Sequence, residues 1–178
     1  MLLAPWVYDL YTPGDKRLKA FSNVPFAGTG IFPAKLYRRI GPFGSQVPQG
    51  IYLPDVELML AECQARLNNL DAAKTTLQVF RKKRMPDSEA NVNIADRDQL
   101  IKFVIEERLR EFALYGYRWF DMRRLSKDPL FNTNSYKHVM YNAQTSQPLE
   151  TYTLEEKRLT LRFPLNVMNA NPGMQNNP

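Results

Sequence analysis

A chain of 178 residues with 44 % apolar and 24 % charged residues has the length of one domain and enough apolar side chains for a core, which excludes disorder over most of it. Its 24 basic and 18 acidic residues leave a net charge of +6, but the signs interleave instead of forming a basic block, so no nucleic-acid partner is expected. A single cysteine, Cys63, excludes an internal disulfide and a multi-cysteine metal site, and no run of about 18 apolar residues is present to span a membrane.

Residues 1–50 form a loop-rich N-terminal third. Pro5, Pro13, Gly14, Pro25, Gly28, Gly30, Pro33, Gly41, Pro42, Gly44, Pro48 and Gly50 leave little room for regular structure. The opening Met-Leu-Leu-Ala-Pro-Trp is too short for a signal peptide and Asp9 interrupts it, so any targeting segment is expected upstream. Ala34 to Arg38 suits a short strand.

Helical spacing begins at Pro54 and runs to about residue 127. Val56, Met59, Leu60, Cys63 and Leu67 share one face, read as the core side, while Glu57, Glu62 and Arg66 lie elsewhere. After Asn68-Asn69-Leu70, Asp71 can cap a second helix carrying Ala73, Leu77, Phe80 and Arg84, which Pro86 ends. Asp96 and Gln99 have capping-box spacing for a third helix, whose stripe is Leu100, Ile101, Val104, Ile105, Leu109 and Phe112. Gly116 reads as its C-terminal cap, and Arg118 to Arg124 as a further short helix. Residues 128–178 read as an Asn- and Ser-rich loop to Gln147 and a closing segment, in which Leu159, Leu161 and Phe163 alternate as in a strand that Pro164 stops.

The first two helices have the small-residue spacing of a tetratricopeptide pair, with Ala61, Ala73, Leu77, Phe80 and a proline at 86. One pair cannot bury both of its faces, so partners must come from other helices. The fold class is therefore mainly α: a tetratricopeptide-like pair, further helices, a loop-rich N-terminal third and minor β, in one domain over residues 1–178.

Residues 53–66 resemble the Glu-x-x-Leu-x-x-Ala-Glu helix of the SusD/RagB family of outer-membrane nutrient-binding lipoproteins. Residues 106–124 resemble its Glu-Arg-x-x-Glu-Leu-x-x-Glu-Gly-x-Arg-Trp-x-Asp-Leu-x-Arg signature, through Glu107, Arg108, Glu111, Gly116, Arg118, Trp119, Asp121 and Arg124. Phe163-Pro164 and the stretch Asn171 to Asn176 are similar to its closing Ile-Pro and Asn-Pro-x-x-x-Gln-Asn-Pro motifs, and Asp15-Lys16-Arg17 and Lys35-Leu36-Tyr37 to its Asp-x-Arg and Lys-Tyr elements. Tyr115 departs from the usual Glu, Phe112 from Leu, and Asn177 interrupts the ending. The resemblance covers roughly residues 9–178 and implies the C-terminal portion of a surface lipoprotein. Such a protein presents a glycan or other nutrient to a SusC-like TonB-dependent transporter and is held at the outer membrane by a lipid anchor on an N-terminal region outside this chain.

The residues themselves point away from catalysis. Glu106, Glu107, Glu111 and Asp121 could be a glycosidase pair, but one of two such carboxylates must stay protonated. Arg108, Arg110, Arg118, Arg123 and Arg124 favour ionised forms, so ion pairing is expected. His138, the sole histidine, lacks acid or thiol neighbours at ligand spacing and reads as a solvated loop residue. Cys63 reads as a small buried hydrophobe, and Gly28-Thr29-Gly30 is too short for a phosphate cradle. No catalytic residue, metal or cofactor is expected. Trp119 and Phe120 read as core. Phe26, Phe32 and Phe43 sit in the Gly/Pro-rich loop, where flat rings could stack on a ligand or pack beneath the loop; they are the candidate binding residues. A tetratricopeptide-type scaffold that docks proteins is the alternative, and a carbohydrate-active enzyme the weaker one.

Overall fold

The computed structural model of the protein describes residues 2–25, 30–31, 36–40, 50–131, 136–142, 145 and 147–177. Helix makes up about 49 % and strand 11 %, so the expected mainly helical class with minor β holds. The helices are α1 (Pro5–Tyr8), α2 (Leu53–Arg66), α3 (Leu70–Lys82), α4 (Asp87–Ala90), α5 (Arg97–Glu111), α6 (Tyr117–Leu125) and α7 (Leu165–Ala170). Short 3-10 turns span Lys16–Ala20 and Glu156–Leu159.

The main core lies between α2, α3 and α5. Leu58, Ala61 and Ala65 of α2 meet Ala73, Leu77 and Phe80 of α3, and Leu100, Ile101 and Val104 of α5 close the space. The three alanines are fully buried, and their lack of bulk lets the helix backbones approach. Each fully buried Leu or Phe contributes roughly 1.5–3 kcal/mol. Between α2 and α3 the chain reverses through Asn68, which adopts φ 62° as asparagine tolerates; the Asn69 N–H donates to the Gln64 carbonyl at 2.8 Å, closing the end of α2.

A second core ties the N-terminal segment to the turn after α5. Leu3, Val7, Tyr11 and Phe21 pack with Ala113, the Tyr11 hydroxyl donates to the Arg110 carbonyl at 2.6 Å, and Lys16 N–H donates to the Arg84 carbonyl at 2.7 Å. Gly14 permits this approach, because a Cβ there would lie 2.6 Å from a Glu89 oxygen and 2.7 Å from Pro86. Among the described residues, two antiparallel strand pairs and a Leu3–Tyr37 bridge supply the β structure. β1 (Phe21–Ser22) pairs with β2 (Arg38–Arg39), Phe21 opposite Arg39, and β3 (Lys137–Tyr141) pairs with β4 (Pro148–Thr153), His138 opposite Tyr152.

Several expectations are corrected. The apolar stripe of α2 is turned outward: Val56, Met59, Leu60 and Leu67 are exposed, as is Cys63, because the small-residue face takes the contact with α3. Asn69, not Asp71, precedes α3, and Asp71 sits in its exposed first turn. Asp96 caps α5 as expected, accepting from Gln99 N–H at 2.7 Å. Gly116, at φ 85°, is the residue before α6 and not the cap of α5, which ends at Glu111 with Phe112 as its C-terminal cap. The expected strand at 34–38 is observed as β2 one residue further on, with Tyr37 in a bridge to Leu3; Ala34 and Lys35 lie outside the described residues. The loop from 128 to 147 contains β3, so His138 is exposed on a strand. No strand forms at 159–163: Leu159 ends a 3-10 turn, and Pro164 opens α7.

Candidate functional site

The charged residues of the 106–124 signature are placed by α5 and α6, and α5 presents two of them in opposite directions. Glu107 is fully buried. Its carboxylate accepts from Arg17 Nη2 at 2.7 Å and Arg81 Nη1 at 2.5 Å, and Arg110 Nη1 lies 3.5 Å away. Burial alone would push this carboxyl up; the guanidinium groups of Arg17, Arg110 and Arg81 outweigh it and hold the group below the usual carboxylate range. Arg17 also binds Asp15 at 2.7 Å and Glu111 at 3.1 Å, and Arg84 grips Glu111 through two bonds of 2.5 and 2.7 Å. This first network joins α5 to α3 and to the N-terminal 3-10 turn.

Arg108, the next residue, points to α2 and α6. It reaches Asp55 at 2.5 Å and Asp121 at 3.2 Å. Asp121 also receives Arg124 Nε at 2.9 Å, and Arg124 donates twice to Glu62, at 2.8 and 2.7 Å. Arg66 completes this second network on Glu62 at 2.9 Å and Asp128 at 2.7 Å. Burial raises the Glu62 carboxyl, but Arg124 and Arg66 bring its net shift below the ordinary range.

Glu107, Arg108, Glu111, Asp121 and Arg124 are thus ion-paired, as expected from the sequence. Each carboxylate among them faces at least one guanidinium. Arg118 stands over the Tyr136 ring at 5.1 Å, Gly116 sets the entry to α6, and Trp119 is half-buried. Phe120 is 66 % exposed, so its expected place in the core is corrected: α6 turns Asp121 and Leu125 inward and Phe120 outward.

Between α2 and α6 lies an open groove of about 520 Å³, in which Met59, Cys63, Tyr117 and Phe120 provide apolar walls and the second network the polar ones. Asp55, Glu62, Arg66, Arg81 and Arg84 were not legible as network members, because a charged residue on a helix ordinarily marks the solvent face. The Asp15-x-Arg17 spacing did carry a usable signal. Phe26, Phe32 and Phe43, the candidate binding residues, lie outside the described residues.

No curated protein matches the chain. Residues 53–178 match the SusD family, a stretch that holds the whole of the second network and the α3 and α5 members of the first. With more than half of its length in that match and the 106–124 signature folded into paired networks, the protein belongs to the SusD family, the SusD/RagB group its sequence resembles.

Proposed function

We propose that the protein captures a glycan by ring stacking and hydrogen bonding and delivers it to a SusC-like TonB-dependent transporter, as part of a surface-exposed outer-membrane lipoprotein. The family match over residues 53–178 carries this reading: SusD-family proteins are binding proteins that serve glycan utilisation rather than enzymes. The ion-paired helices support it by giving a rigid base on which binding loops can be held. Phe26, Phe32 and Phe43 are the proposed ligand contacts. Replacing Phe32 or Phe43 by Ala should lower glycan affinity roughly tenfold or more if each ring is an anchor.

Affinity electrophoresis against a glycan panel, with reducing-sugar release measured in parallel, tests the proposal. Retardation without sugar release is the expected result. Release that disappears in Glu106→Gln or Asp121→Asn would replace it with the enzyme reading. A protein-docking scaffold is favoured by one observation, the outward apolar face of α2 at Val56, Met59 and Leu60. A chain that is retarded by no glycan, but captures a TonB-dependent transporter or another protein through that face, would make docking the primary role.

A further inference from the structure

Arg39 breaks the pattern of charge pairing. Arg17, Arg81, Arg84, Arg108 and Arg124 each hold a carboxylate, whereas Arg39 has no carboxylate partner among the described residues. Its Nη1 donates to the Ala113 carbonyl at 3.2 Å, and its guanidinium lies 3.9 Å from the Tyr115 ring centroid and 5.8 Å from that of Phe21. Stacking and one carbonyl fix the side chain, and among the described residues no other acceptor takes the remaining N–H donors of the fork. A guanidinium held in this way loses little rotamer freedom when an anion arrives.

Tyr115, on which Arg39 stacks, and Tyr52 are two rings that the core does not consume. Tyr52 and Tyr115 are each 37 % exposed and flank the buried Phe112: the Tyr52 ring lies 6.0 Å from that of Phe112, and Tyr115 N–H donates to the Phe112 carbonyl at 3.0 Å. Tyr52 directly precedes α2, and the Asp55 N–H donates to its carbonyl at 2.9 Å, so its backbone is anchored. The Tyr52 hydroxyl is raised by burial and then by Glu111 and Tyr115, against the opposing pull of Arg84 and Arg39. Phe112 thus links the two tyrosines, through ring contact to Tyr52 and through its carbonyl to Tyr115.

We infer that Arg39, Tyr115 and Tyr52 form a subsite for an acidic sugar, with the Arg39 fork binding a carboxylate or sulfate and an exposed tyrosine ring covering the apolar face of the sugar. The chemistry matches on both sides. A guanidinium fork fits planar or tetrahedral oxyanions through two parallel hydrogen bonds, aromatic faces accept the C–H side of a pyranose, and a net charge of +6 draws an anionic ligand from solution. The inference rests on the glycan-capture reading and narrows it to a charge class.

Calorimetric titration of the chain with a galacturonic acid trisaccharide, a sulfated carrageenan tetrasaccharide and neutral maltotriose tests it. At least one acidic sugar should bind about tenfold or more tightly than maltotriose and lose that advantage in Arg39→Gln, with Tyr52→Ala weakening the same sugar. The two acidic sugars separate carboxylate from sulfate recognition. Arg39→Lys guards against misfolding: it keeps the charge but not the fork, so a folded Arg39→Lys with undiminished acidic-sugar affinity overturns the assignment. Maltotriose binding as tightly as both acidic sugars also overturns it while leaving glycan capture standing; no binding of any of the three removes both.

Discussion

Glu107 shows how much a single residue can carry here. A fully buried carboxylate survives only because Arg17, Arg81 and Arg110 surround it. Glu107→Ala leaves those cations without their shared anion, and should cost about 3–5 kcal/mol, or a fall in Tm of roughly 6–20 °C in a domain of this size. An unchanged Tm would rule out a structural role for the pair. The sign of the pH dependence follows from the lowered carboxyl. Its unfolded value is near ~4.3, so the stabilisation is fully present above that pH and is lost as pH falls through the lower folded value. Wild-type stability should therefore drop steeply below about pH 4, and the Glu107→Gln variant should show a shallower drop. Cys63 gives the opposite case. It is exposed on α2, so a maleimide should label the native chain about as fast as the unfolded one; strong protection would mean that the outer face of α2 is covered in solution.

Elements differ in how far sequence determines them, and the difference is physical. α5 was legible at its start and along its core face, since its cap at Asp96 and its stripe of Leu100, Ile101 and Val104 act together and both are local, but not at its end, which falls short of Gly116. α2 was legible as a helix but not in its rotation: its most apolar stripe, Val56, Met59, Leu60 and Cys63, faces away from α3, while Leu58, Ala61 and Ala65 are buried. Close helix contact selects small residues, and hydrophobicity alone ranks those below Met and Leu. The β3–β4 hairpin was illegible because its strands are largely exposed, β4 throughout and β3 with only Val139 and Tyr141 half-buried, so burial imposes too little alternation for a sequence to carry. Two substitutions test the local logic. Asp96→Ala removes the cap of α5 and should cost about 1 kcal/mol. Gly116→Ala meets no neighbour, yet at φ 85° it should cost about 1–2 kcal/mol from backbone strain alone.

Across the whole molecule, α5 acts as the shared support of two charge networks that hold different elements. Glu107 and Glu111 hold the Arg81–Arg84 end of α3 and the N-terminal 3-10 turn, and Arg108 holds α2 and α6. No side chain belongs to both networks among the contacts of the described residues. Together with the main core, this arrangement fixes α2, α3, α5 and α6 relative to one another, which is what a binding protein needs from its scaffold if ligand contacts sit on loops. The candidate site was legible to the same extent: the signature residues could be read as ion-paired, but not which helices they join, because that depends on Arg17, Asp55, Glu62 and Arg81 arriving from distant sequence. Separateness has a measurable consequence. Glu107→Gln weakens only the first network and Glu62→Gln only the second, so each should lower stability alone and the double variant should lose the sum to within about 0.5 kcal/mol, as expected for sites with no shared partner. Chemical denaturation of the wild type, the two single variants and the double variant measures this. A coupling well above that value would show that the networks communicate through α5, and that the helices behave as one charge-locked body instead of two clamps on a common support.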